Sequence, residues 1–133
     1  MVASGAFPGI LELGRAWLSH PAAMMGRGME ALSLRFGQVA RVLADEARTH
    51  GLRAPAFRSP PRLVGLNRSI TRRRDGGATV AVALRGRPWG AVLADMVDGV
   101  VTANRLRGVA ADRCRDALWS RLADAGEPAA WVA

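Results

Sequence analysis

Apolar residues recur along this chain with two different periods, and the switches between them predict the order of elements. Over residues 28–51, Leu32, Phe36, Val39, Ala40, Leu43 and Ala47 repeat at intervals that place side chains on one face of an α-helix. Arg35, Arg41, Asp45 and Arg48 fall mainly off that stripe, and Arg41 and Asp45 are spaced for an i, i+4 ion pair. His50 and Gly51 suit the end of the helix, with Gly51 in the left-handed cap position. From Thr79 to Arg85 the period falls to two. Val80, Val82 and Leu84 alternate with Thr79, Ala81 and Ala83, as in a half-buried strand. Leu66 to Arg74 reads as its hairpin partner, joined through Asp75-Gly76-Gly77, a strong turn signal. Leu66 and Ile70 share a face with Arg68, Arg72 and Arg74, so the buried face of that arm is expected to give way to charge toward the turn.

The helical period then returns. Pro88 opens a helix over residues 88–107 whose stripe is Trp89, Val92, Leu93, Met96, Val97, Val100, Val101 and Asn104. Trp89 is expected to plug the end of the core, and Gly108 to cap the helix. A last helix, residues 109–125, aligns Ala110, Cys114, Ala117, Leu118 and Leu122, and Gly126 and Pro128 stop it. The short break between these helices predicts an antiparallel pair. Ahead of the hairpin, residues 52–63 hold Pro55, Pro60 and Pro61 and read as an extended surface linker pinned by Phe57.

The two ends of the chain carry less pattern. Residues 1–27 read as a poorly ordered N-terminal arm with a short helical piece around Ile10, Leu13 and Trp17. Met24, Met25 and Met29 follow, so a translation start downstream of Met1 is one reading of this arm. Residues 126–133 read as a loosely held tail.

The predicted fold class is α+β: helix, proline-rich linker, β-hairpin, then two antiparallel helices (α-β-β-α-α), forming a single domain over residues 28–125. A two-stranded sheet is marginal alone. A homodimer that joins two hairpins into one sheet is therefore expected.

Charge changes this picture by being local. Residues 53–87 carry nine arginines and one acid, Asp75, while the segments on either side nearly cancel, so the formal charge of +8 sits in this stretch. The chain has no lysine and no tyrosine, and only two isoleucines, which points to a GC-rich, bacterial coding sequence. That bias accounts for Arg in place of Lys. It does not account for acids avoiding residues 53–87. The single cysteine, Cys114, excludes an internal disulfide framework and a Cys-based zinc cluster within one chain. It falls on an apolar stripe and reads as a buried packing residue. A reducing, cytoplasmic location is expected. No apolar run is long enough to span a membrane. The N-terminus lacks the basic start of a secretion signal, so none is expected.

The candidate chemistry follows from the arginines. Arg68, Arg72, Arg73 and Arg74 on one arm, with Arg85 and Arg87 on the other, form a candidate anion-binding set, because guanidinium forks grip phosphate bidentately. A β-ribbon can enter a DNA major groove or follow an RNA backbone, so DNA or RNA is the first expected partner. An acidic protein is the second. A third reading makes the arginines solubilising, or pairs them with Asp95 and Asp98, in a protein-interaction or accessory subunit. No aromatic residue interleaves with the hairpin arginines, which disfavours base stacking on single strands.

Nothing assembles a nucleophile with an acid and a base. His20 and His50 lack the company of metal ligands, and Asp95 and Asp98 read as a wet helix face. Without lysine there is no Gly-x-x-x-x-Gly-Lys phosphate loop. A non-enzymatic protein with no metal and no cofactor is expected.

Overall fold

The computed structural model describes residues 21–127, with side chains from residue 28 onward. Helix α1 (Pro21–Thr49) leads into three strands, β1 (Ala56–Arg58), β2 (Arg68–Arg72) and β3 (Ala78–Val82). Helix α2 (Trp89–Arg105), a short 3-10 turn (Asp112–Cys114) and helix α3 (Arg115–Asp124) complete the chain. The class is α+β, with element order α-β-β-β-α-α. The expected helical piece around Ile10, Leu13 and Trp17, and the tail from residue 128, lie outside the described residues.

The added strand comes from the segment read as a linker. Pro55 and Pro60 push the residues before them to extended backbone, and three residues between them pair in parallel with β3. The register is Ala56↔Thr79, Phe57↔Val80 and Arg58↔Ala81, and the sheet order is β1-β3-β2. Pro60 and Pro61 have no N–H to extend the ladder, which keeps β1 short. Phe57 is the anchor expected of it. Its ring meets Phe36 of α1 edge-on, with centroids 6.2 Å apart at 84°.

With β1 on one side and β2 on the other, β3 is central and has no open edge. The premise of a hairpin dimer, an unpaired edge on this strand, therefore does not hold. Centrality also corrects the half-buried reading of β3. Ala81, expected on a wet face, is 7% exposed, and Ala83, which lies just past the strand because β3 ends at Val82 and not at Arg85, is 4% exposed. The Arg58 and Ser69 positions flank Ala81 on the two neighbouring strands, and a small side chain between larger neighbours is shielded.

The β2 arm is shorter than expected. Leu66 lies outside the strand and is exposed, because the chain must cross from one sheet edge to the other between Arg58 and Arg68. Helix α1 begins at Pro21, not at residue 28. Asp45 pairs with Arg48 (3.2 Å) rather than with Arg41. Gly51 and Gly108 adopt the expected left-handed conformation after their helices.

Helix α2 packs on β3 and β2, while α1 and α3 pack on each other and on α2. The core is built from Val80, Val82 and Leu84 of the β3 segment, the α2 stripe from Trp89 to Val101, Phe36 and Leu43 of α1, and Leu118 and Leu122 of α3. Cys114 is free and buried among them. The helix and sheet approach closely at Gly99, where a Cβ would lie 2.6 Å from Val80 Cγ1. Gly99→Ala is therefore expected to destabilise the fold. Overpacking costs about 1–3 kcal/mol, which outweighs the helix propensity regained, at most about 1 kcal/mol. Urea unfolding checks this, and Val80→Ala in the same chain should recover part of the loss. A higher midpoint for Gly99→Ala alone would contradict the close approach.

Residue 127 is not part of a loose tail. Glu127 is 2% exposed. It accepts hydrogen bonds from Trp89 Nε1 (2.6 Å) and Arg35 Nε (2.9 Å), and forms an ion pair with the Arg35 guanidinium. One carboxylate thus ties α1, the start of α2 and the chain beyond α3. Removing one member of a buried ion pair leaves the other charge uncompensated. Glu127→Ala is expected to cost about 3 kcal/mol, read from the shift of the denaturant midpoint followed by circular dichroism.

Candidate functional site

The turn between β2 and β3 is closed by its own backbone. Gly76 N–H donates to the Arg73 carbonyl (3.1 Å), and Arg73 N–H donates to the Gly77 carbonyl (2.8 Å). Gly76 has φ +83°, as three-residue hairpin loops require. Asp75 Oδ1 accepts the Gly77 N–H (2.8 Å) and Arg73 Nε (3.3 Å). The backbone hydrogen bond from Gly77, followed by that from Arg73, holds the Asp75 carboxyl below the ordinary aspartate value.

This turn presents three of the expected residues. Arg72, Arg73 and Arg74 are all exposed, and among the described residues Arg72 and Arg74 make no side-chain hydrogen bond or ion pair. The other three expected residues lie elsewhere. Arg72 stands opposite Ala78, and Arg68 opposite Val82, about 13 Å further along the sheet at roughly 3.3 Å per residue. Arg85 and Arg87 lie beyond Val82, at that same far end. Arg68 pairs there with Asp98 of α2 (3.6 Å). Arg87 pairs with Asp95 (2.5 Å) and donates to the Ala83 carbonyl (3.0 Å). Arg85 is exposed and unpaired among the described residues. The six arginines thus divide into a turn group of three and a far-end group of three, and two of the latter serve the fold. Asp95 and Asp98, read as a wet helix face, instead hold arginines at the far end of the sheet. Asp98 also pairs with Arg115 of α3.

The structure adds a fourth cation to the turn. Arg53, which follows the α1 cap, donates from Nη2 to the Asp75 carbonyl (3.4 Å). Its backbone is held by Asn104, 1% exposed on the buried side of α2. Arg53 N–H donates to Asn104 Oδ1 (3.0 Å), and Asn104 Nδ2 donates to the Arg53 carbonyl (2.9 Å). Nothing local to Arg53 in sequence marks it. A polar Asn104 on an otherwise apolar stripe was the one available signal, since a buried amide must find partners.

Chemically, the turn offers exposed planar donors at the end of the sheet, suited to bidentate contact with phosphate oxygens. Among the described residues no group of His, Cys, Asp and Glu could hold a metal ion. No described helix is long and apolar enough to cross a membrane. No protein-family model, curated protein or solved structure matches the chain.

The Asp75 geometry has a pH consequence. Its folded carboxyl titrates below the unfolded value, so its stabilisation of the turn is present at neutral pH and lost as pH falls through the depressed folded value. NMR titration of the Asp75 carboxyl should show that low midpoint. Arg73→Ala should raise it part of the way, because the Gly77 hydrogen bond remains.

Proposed function

We propose that this protein is a non-enzymatic bacterial protein of the cytoplasm that binds nucleic acid through the β2–β3 turn. The observation that carries the reading is the convergence of Arg53 with Arg72, Arg73 and Arg74 around one exposed turn whose only acid is Asp75. An exposed turn that carries four guanidiniums at the end of the sheet suits contact with the phosphates flanking a groove. The hairpin carries no aromatic residue, which favours contact with a duplex backbone over stacking on single-stranded bases. Arg85, Arg68 and Arg87 are not part of this surface. A second reading, an interaction or accessory subunit whose arginines serve stability, is favoured by the pairing of Arg68 and Arg87 with Asp98 and Asp95.

A salt series separates the two. Four guanidiniums neutralising four phosphates give a slope of log K against log salt of about −3.6 on duplex DNA, at about −0.9 per phosphate. Arg72, Arg73 and Arg74 all changed to Ala should reduce that slope to about −0.9. Arg85→Ala should leave it unchanged. Duplex RNA in parallel tells which nucleic acid is preferred. No binding at low salt, or a slope unaffected by the triple substitution, would sink the nucleic-acid reading.

A further inference from the structure

The crossover between β1 and β2 builds a second surface, at the opposite end of the sheet from the arginine turn. β3 runs away from that turn, and β1, parallel to it, ends at Arg58 level with Ala81. β2 starts at Arg68, level with Val82 on the other edge. Residues 59–67 therefore span the end of the sheet from edge to edge. Pro60 and Pro61 stiffen the start of this loop, and Gly65 turns it with φ +73°. The result is an apolar protrusion. Val64 is 99% exposed and Leu66 64% exposed, with Leu63 partly buried beside them in the chain.

Cations surround it. Arg58 precedes the loop, Arg62 lies within it, and Arg85 follows the end of β3 at the same end of the sheet. All three are exposed, and none makes a side-chain hydrogen bond or ion pair among the described residues. The nearby acids do not offset them, because Asp95 pairs with Arg87, and Asp98 with Arg68 and Arg115. Val64 makes no contribution to the core, and a fully exposed valine beside an exposed leucine keeps apolar surface in water.

The geometry points to an anionic lipid surface as the occupant: we propose that the 59–67 crossover docks on it. Val64 and Leu66 enter the boundary between headgroups and acyl chains, while Arg58, Arg62 and Arg85 meet lipid phosphates. Val64 is almost fully exposed, so a protein partner would need a pocket to receive it. A bilayer interface accepts a protruding apolar loop without one, and its negative charge complements the arginines. This surface is separate from the arginine turn and does not depend on the nucleic-acid reading.

Co-sedimentation of the full chain with vesicles tests it. Vesicles of phosphatidylcholine with phosphatidylglycerol should bind the protein, and phosphatidylcholine alone should bind it at least about tenfold more weakly. Val64→Ser with Leu66→Ser should weaken binding to the anionic vesicles by about tenfold or more. Arg58→Ala and Arg62→Ala should each cost about fivefold. Both apolar residues are exposed, so an unchanged thermal midpoint separates lost docking from lost folding. Equal binding by the serine variant, or loss of binding only when Arg72, Arg73 and Arg74 are replaced, overturns the proposal. No binding to either vesicle at low salt also overturns it.

Discussion

A strand buried on both faces must have its backbone groups paired on both edges, and in this protein that strand is β3. β2 satisfies one edge through the hairpin. The other is satisfied by three residues between prolines, Ala56 to Arg58, in parallel register. This short pairing arranges both surfaces described above. It carries Arg53, which precedes β1, to the arginine turn. It also leaves the chain at the far end of the sheet, on the wrong edge for β2, so residues 59–67 have to cross there. The two ends of one small sheet thereby acquire different characters, a turn with four arginines against the one acid Asp75 and an apolar loop with arginines around it.

Helix α2 sorts the arginines between structural and free roles. Asp95 and Asp98 lie within reach of the far end of the sheet and neutralise Arg87 and Arg68. Such pairs fix geometry as much as they add stability, because two long side chains are held at the seam between helix and sheet. No α2 acid pairs with the turn, so Arg72 and Arg74 stay unpaired among the described residues, and Arg73 meets only Asp75. The same helix supplies Gly99, the close approach to Val80, and Asn104, the buried amide that holds the Arg53 backbone. At its start, Trp89 shares Glu127 with Arg35, which joins the outer helices to the frame. Stability and surface charge are therefore set by one element.

Much of this was legible from residue pattern, and the failures have physical causes. The helices over α1, α2 and α3, the Asp75-Gly76-Gly77 turn, the Trp89 plug, the Phe57 anchor and the buried Cys114 follow from local periodicity and local backbone preference. Arg72 to Arg74 were legible as exposed, since adjacent guanidiniums are too costly to bury unpaired. The grouping of Arg68, Arg85 and Arg87 with them failed. Nearness in sequence to a hairpin does not say which end of the sheet a residue occupies, nor whether an acid on a later helix faces it. Leu66 failed for the related reason that strand parity has meaning only inside a ladder, and the ladder starts at Arg68.

The chain by itself determined the helical periods, the hairpin and the concentration of positive charge in residues 53–87, because each rests on neighbours in sequence. Proline also determined that residues 52–63 would be extended. Whether that extended segment lay free or became a strand was decided only by the tertiary structure, because its hydrogen-bonding partners at Thr79 to Ala81 are distant in sequence. The same is true of Arg53 beside the turn, the exposed Val64 and Leu66, and the clasp on Glu127. Each depends on groups brought together by packing, and residue spacing carries no record of which distant groups will meet.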